Sequence, residues 1–350
     1  PLGSLRFEDF RTTPSNQSIV SARNDGGHGI NFEYKTELML DSARYTYNGT
    51  VAAPGGELSF DGIHLAHQGL LRKVASEAAE RKCSGVVLTF EPHPQKVLHP
   101  ERKPFYLVTT LEEKLKLIEA MGIDAVILIE FTPEFARTTA DVFVREILWD
   151  RLRLVKLFIG HDTAFGNRKT GNETFLRNMG KELGFDVEAI EGVQVEGMLV
   201  SSTSVRHALL EGDVCRAMKL LGRPYNLSGI VVKGYRRGSE IGVPTANIAS
   251  EKELIPAQGV YAVTARMESR RHPGVLNIGY SPTVGDNQLT VEVHLLDFPR
   301  EELYGKSIEV FFIDRIRDEV KFESPKELVR QIERDIERAR ELLKPHLGAA

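Results

Sequence analysis

Three short apolar runs constrain the fold most: Val86-Val87-Leu88-Thr89-Phe90, Ala125 to Ile129, and Val155 to Ile159. A strand with one wet face alternates apolar and polar residues, and these runs do not. Continuous runs of this kind mark strands buried on both faces, the condition of a parallel sheet. Helical patterns separate them. Leu70, Leu71, Val74, Ala75, Ala78 and Ala79 recur at i, i+3, i+4 spacing, which predicts a helix that Gly85 ends. Thr110 with Glu113 makes a capping box for a helix through Met121, stopped by Gly122. Ala140 to Leu148 reads as a further helix. Strand and helix in alternation predict an α/β, doubly wound parallel sheet.

Beyond Gly222-Arg223-Pro224 the pattern changes. Gly259 to Arg266, Leu276 to Gly279, Val291 to Leu296 and Ile308 to Ile313 read as short strands with no helix between them, which predicts an antiparallel barrel or sandwich. Ser324-Pro325-Lys326-Glu327 then supplies an N-cap, a proline at the first helical position and an acid at the third. Leu328, Ile332, Ile336, Ala339 and Leu343 give that terminal helix one apolar stripe for the barrel. The 350 residues therefore divide into domains over 57–222 and 223–350. Residues 1–56 read as a poorly defined extension, opened by Pro1-Leu2-Gly3-Ser4, the remnant of a cleaved tag, and broken by Pro54-Gly55-Gly56. Leu58-Ser59-Phe60 reads as a short strand leading into the first helix.

Composition excludes several classes of protein. A net charge of −4 gives no general attraction for nucleic acid or acidic membrane, so neither is an expected partner and any phosphate chemistry must be local. Cys83 and Cys215 form neither a disulfide framework nor a zinc knuckle, as suits a reducing cytoplasm. No apolar run reaches membrane-spanning length and no signal peptide opens the chain, so a cytoplasmic location is expected.

Three stretches carry chemistry. In the first, Ile230-Val231-Val232 runs into Gly234, Arg236, Arg237, Gly238 and Gly242, a turn that can come close to a ligand. Pro244 then stiffens the backbone, so that the Thr245 hydroxyl and Asn247 amide can reach one metal ion or one phosphate cluster. In the second, His64 and His67 stand three apart where a helix begins, a place that attracts anions. By spacing alone the pair reads equally as surface histidines; a zinc site lacks a third ligand nearby. In the third, Thr290 to Leu296 alternates, placing Glu292 and His294 opposite Val291, Val293 and Leu295. Were that face the barrel interior, a carboxylate there would need a partner or a task, and a general base for an alcohol is such a task. The plainer alternative is a glutamate pointing at solvent. Gly166-Asn167-Arg168-Lys169-Thr170-Gly171 mimics a P-loop but lacks its Lys-Ser/Thr, and reads as a mobile basic loop.

Several motifs occur in order: Phe60-Asp61-Gly62-x-His64-x-x-His67-Gln68, Thr89-Phe90-Glu91-Pro92-His93-Pro94, Gly160-His161-Asp162, Phe165-Gly166 and Ser201-Ser202-Thr203-x-x-Arg206. With Pro244-Thr245-Ala246-Asn247, the strand around Glu292 and Ile316-Arg317-Asp318-Glu319, they resemble the bacterial bifunctional riboflavin kinase/FAD synthetases from residue 57 to 345. The resemblance implies a Rossmann-like nucleotidyltransferase domain that transfers AMP from ATP to FMN. It implies, too, a C-terminal barrel that phosphorylates riboflavin with ATP and Mg²⁺. In the first, it assigns His64 and His67 to catalysis, and Phe60, Asp61, Asp162, Ser202, Thr203 and Arg206 to nucleotide. In the second, it assigns Glu292 to catalysis and Gly234, Gly242, Thr245 and Asn247 to nucleotide, with Mg²⁺ on Thr245 and Asn247. Arg317, Glu319 and Phe322 belong to a loop that closes over the flavin. The chain departs from the family at Leu58-Ser59 (usually Gly-Asn), Ala66 (usually Gly), Thr163 (usually aromatic) and Ser204 (often Arg). These departures predict AMP transfer that is present but impaired. A monofunctional riboflavin kinase and a flavin-responsive regulatory protein on the same scaffold are the alternatives.

Overall fold

The computed structural model describes residues 18–24, 30–33, 49–53, 59–102, 104–160, 163–234, 242–268, 270–283, 286–299 and 301–347. They form two compact units, one of residues 1–105 with 111–199, the other of 106–110 with 200–350. In chain order the first unit holds β1 (Ser18–Asn24), β2 (Ile30–Glu33), β3 (Gly49–Ala53), α1 (Leu65–Arg81), β4 (Ser84–Glu91), α2 (Pro94–Leu98) and α3 (Leu111–Glu119). It continues with β5 (Ala125–Glu130), α4 (Ala140–Val142), β6 (Leu154–Gly160), α5 (Glu173–Leu183), β7 (Asp186–Ile190) and the hairpin of β8 (Gln194–Val195) and β9 (Met198–Leu199).

The sheet runs β2-β1-β5-β4-β3-β6-β7, with β1, β5, β4, β3, β6 and β7 paired in parallel and only β2 antiparallel. Side chains of the central strands split between two cores. Val86, Leu88 and Phe90 enter one with Leu157 and Ile159; Val87 and Phe158 enter the other with Leu70, Leu71 and Val74 of α1. Burial on both faces is why those strands read as unbroken apolar runs. From β3 the chain winds one way through β4 to β5, then crosses back to β6 and β7. The reversal leaves a crevice beyond the carboxyl ends of β3 and β6, where open α/β sheets bind ligands.

Local details differ from the sequence reading. Strands β1, β2 and β3 precede residue 57, with β3 inside the sheet between β4 and β6. Their side chains carry too little periodic signal to show this. Helix α1 ends not at Gly85 but at Lys82, whose left-handed backbone lets its N–H cap Ala78 and Ala79. Gly85 lies within β4. Ser59 and Phe60 form a turn rather than a strand. After α4, Phe143–Trp149 continues as a π-helix.

The second unit holds α6 (Ser202–Leu210), α7 (Val214–Leu221), β10 (Asn226–Val232), β11 (Ala246–Ser250), β12 (Gly259–Met267), β13 (Arg270–Thr283), β14 (Asp286–Leu295), β15 (Ser307–Arg317) and α8 (Pro325–Leu347). Its strands close an antiparallel barrel in the order β10-β11-β14-β13-β12-β15. Ala339 and Leu343 of α8 pack with Ala262 and Ile313 of the barrel wall. Among the described residues no helix is long and apolar enough to cross a membrane.

Phe158 is fully buried in the α1-side core. Phe158→Ala is expected to lower the stability of the first unit by about 3–5 kcal/mol. Denaturant unfolding of the full chain measures this, and a loss below about 1 kcal/mol would contradict the packing described.

Candidate active sites

Where β3 hands over to α1, the chain makes a buried turn. Phe60 and Ile63 adopt left-handed backbone (φ 50° and 39°) although neither is glycine, and Gly62 follows suit at 84°. Their side chains are fully buried, Phe60 against the His67 ring at 5.0 Å between centroids. His64 is the N-cap of α1, its Nδ1 accepting the His67 backbone N–H at 3.4 Å. The two rings stack 3.6 Å apart at 17°. His67 Nδ1 is buried and has no hydrogen-bond partner among the described residues. Burial first, then the neighbouring His64 and Lys114, holds the His67 imidazole well below its ordinary pKa. The pair stands at the switch-point crevice, on a helix end that attracts anions, with burial favouring the neutral form of His67. Asp61 is buried beside them. Asp162 lies outside the described residues.

Sequence reasoning missed Lys114, which is 6% exposed on α3 and donates to the Ser59 carbonyl. The available signal was a charge at a position that the helical period of Ile118 gives to the core.

A second feature missed lies at the ends of β4, β5 and β6. Phe90, Phe131, Phe135, Phe143 and Phe165 line a cavity of about 300 Å³ whose rim includes Asn167, Arg168 and Lys169. Their rings contact one another in series at 5.3, 5.8, 6.3 and 5.5 Å. The P-loop lookalike thus forms a turn on this rim, with Arg168 and Lys169 both at positive φ.

Ser202, Thr203 and Arg206 belong to the second unit, at the start of α6. Ser201 caps that helix by accepting the Ser204 N–H at 3.1 Å. Arg206 is buried and gives its Nε–H to the Tyr106 carbonyl at 2.8 Å.

The barrel brings Thr245, Asn247 and Glu292 together. Asn247 on β11 stands directly opposite Glu292 on β14. Thr245 donates its hydroxyl to Glu292 Oε2 at 3.2 Å, and the Pro244 carbonyl lies 2.8 Å from His294 Nδ1. The sequence left open which face Glu292 takes. Val291, Val293 and Leu295 are the buried residues of β14, so Glu292 does not face the barrel interior. It stands half-buried on the opposite face, where the stiff segment after Pro244 crosses it.

Two glycines permit this arrangement, for different reasons. Gly242 adopts φ +83°, a backbone closed to most side chains. At Gly234 a Cβ would collide with the Asn247 amide. Gly238, Arg236 and Arg237 lie outside the described residues. A cavity of about 530 Å³ opens beside Thr245, walled by Val231, Val293, Leu295, Phe298, Leu303 and Tyr304.

In the loop after β15, Arg317 is held by Asp335 of α8 through Nε contacts of 3.1 and 3.0 Å and an Nη2 contact of 2.7 Å. Its guanidinium also lies over the Phe322 ring, 5.7 Å from the centroid. Glu319 fills the space beside Gly279 that a Cβ would occupy. Asp335 is 3% exposed, a carboxylate inside the apolar stripe of α8, and was legible only as that interruption.

Both halves of the chain have known counterparts. Residues 47–204 match the family model described as FAD synthetase, and residues 221–343 the model described as riboflavin kinase. A bifunctional riboflavin kinase/FMN adenylyltransferase from Haemophilus influenzae is 38% identical over 283 residues, covering 81% of this chain and 91% of its own. The protein of that name from Escherichia coli K12 is 39% identical over 284 residues, covering 81% and 90%. A crystal structure from Streptococcus pneumoniae, described as a macrolide-efflux protein, superposes with a TM-score of 0.77 at 32% identity and covers 85% of this chain and 95% of its own. The chain belongs to the family of bifunctional riboflavin kinase/FMN adenylyltransferases.

Gly234→Ala is expected to displace the Asn247 amide and lower kcat/KM for ATP in riboflavin phosphorylation by about tenfold or more. Steady-state kinetics check this, and parent-like values would contradict the close approach. Ala66 sits in the first turn of α1 and is absent from the left-handed positions, so glycine is not needed there for backbone geometry. What a glycine would add there is room beside the helix N-terminus, the space the alanine Cβ takes. Ala66→Gly is expected to raise FAD formation while costing about 1 kcal/mol of helix stability. A folded variant that makes FAD no faster would refute the steric role of that methyl group.

Proposed function

We propose that the chain makes both flavin cofactors, the barrel converting riboflavin and ATP to FMN and the sheet unit converting FMN and a second ATP to FAD. The convergence of Thr245, Asn247 and Glu292 carries the kinase reading. Glu292 takes the proton of the riboflavin 5′-hydroxyl as its oxygen attacks the γ-phosphorus of ATP; the bond to the bridging oxygen breaks and ADP leaves. The adenine nucleotide lies in the cavity beside Thr245, with Gly234 and Gly242 lining its phosphates. Thr245 and Asn247 offer few, hard oxygen donors, the set that suits Mg²⁺ shared with phosphates. Bound there, Mg²⁺ neutralises charge on the phosphate oxygens. Arg317, Glu319 and Phe322 cover the flavin, with Asp335 fixing the guanidinium.

In the sheet unit, a phosphate oxygen of FMN attacks the α-phosphorus of ATP and pyrophosphate leaves. His64 and His67 donate to the phosphates from the N-terminus of α1, with Phe60 and Asp61 holding the turn behind them. Ser202 and Thr203, at the start of α6, are assigned to nucleotide on the family pattern. We assign Asp162 and Arg206 to the same nucleotide on the family pattern. The cluster of phenylalanines, with rings set edge-to-face and tilted, gives the flavin ring an apolar wall. Net charge of −4 argues against nucleic acid as a partner, and free thiols at Cys83 and Cys215 suit a reducing cytoplasm.

Glu292→Gln tests the division of labour. FMN formation is expected to fall by ~10²–10⁴, while FAD formation from supplied FMN continues at the parent rate. Undiminished FMN formation would remove Glu292 from the mechanism.

A further inference from the structure

Behind the histidine pair stands a charge that the AMP-transfer chemistry above does not use. Lys114 on α3 is buried, and its ammonium donates to the Ser59 carbonyl at 3.3 Å. The same oxygen accepts the Thr89 hydroxyl at 3.1 Å. Burial pushes the Lys114 pKa below its ordinary value, and the carboxylates of Glu91 and Asp61 oppose that shift by favouring the ammonium. A buried lysine of this kind is costly, and it persists where acceptors and opposite charges meet it.

Ser59 immediately precedes the left-handed turn. Non-glycine residues hold such backbone only where their surroundings over-determine it. The surroundings here are the buried Phe60 and Ile63 side chains and the doubly held Ser59 carbonyl. What the turn sets is the position of His64 at the N-cap and of His67 one turn in. We propose that Lys114 is a positioning residue of the AMP-transfer site: its ammonium clamps the turn that presents His64 and His67 and supplies positive charge behind the two rings.

The charge has a chemical consequence. His64 and Lys114 both act on His67 in the same direction as burial, toward the neutral ring, while Asp61 and Glu91 face Lys114. Nδ1 of His64 accepts the His67 backbone N–H, which leaves His64 Nε2 as the ring nitrogen that can donate to a phosphate oxygen. Removing the cation takes away one of the influences that hold the His67 pKa down. Protonation then begins at higher pH, and the acid limb of FAD formation moves upward with it.

The proposal rests on the AMP-transfer reading, and one experiment separates the two. FAD formation from supplied FMN is followed against pH for the parent, Lys114→Met and Lys114→Arg, with FMN formation by the same preparations as the measure of an intact chain. The imidazole titrations of the full-length proteins are read by NMR. Lys114→Met is expected to lose roughly ten- to a hundredfold in FAD formation, with its acid limb and the His67 titration moved to higher pH. Lys114→Arg keeps the charge and is expected to keep both at the parent pH, even if its rate falls. An unmoved limb and titration in Lys114→Met, or a moved limb in Lys114→Arg, would overturn the proposal. A parent that makes FMN but no FAD would overturn the AMP-transfer reading and the proposal with it.

Discussion

Burial of the parallel sheet on both faces is the constraint on which the first unit depends. It requires helices on both sides, and a chain that continues from the interior strand β3 supplies them by winding outward to β4 and β5 and crossing back to β6 and β7. The crossing leaves the crevice between β3 and β6, and the Ser59–Ile63 turn delivers the N-terminus of α1 to it. The left-handed residues at Phe60 and Ile63 are the local cost of that delivery. Their full burial, with the bonds to the Ser59 carbonyl, offsets it. Site and core are thus one piece of structure, since Phe60 both packs in the core and contacts the His67 ring.

The barrel solves the corresponding problem by register. A closed antiparallel sheet fixes which residues stand opposite each other, and the pairing of Asn247 with Glu292 follows from the β11–β14 register alone. A slip of one residue would send Asn247 and Glu292 to opposite faces. Gly234 then decides whether the Asn247 amide has room. The arrangement tolerates a half-buried carboxylate because Thr245 donates to it and one side remains open.

Much of this was legible in the sequence, and what was not has physical reasons. The apolar runs at Val86, Ala125 and Val155 announced strands buried on both faces, and the alternation from Thr290 to Leu295 matches the burial of β14. Thr245, Asn247 and Glu292 were recognisable one by one, but their meeting is a long-range fact of pairing that no local pattern contains. Which face Glu292 takes stayed open because alternation shows that two faces differ, not which one is inside. Phe60 read as a strand residue because apolar side chains say nothing of φ. Lys114 and Asp335 escaped for a shared reason: a charge in an apolar stripe looks like noise until the structure shows its partners, Ser59 in one case and Arg317 in the other.

Two chemistries on one chain is the central claim, and the fate of the phosphates of ATP tests it most directly. The intact protein is incubated with riboflavin, Mg²⁺ and ATP labelled at either the α- or the γ-phosphorus, and the flavins are separated over time. The account requires γ-label to appear first in FMN and later in FAD, and α-label to appear in FAD alone. γ-Label confined to FMN, with no α-label in any flavin, would contradict it.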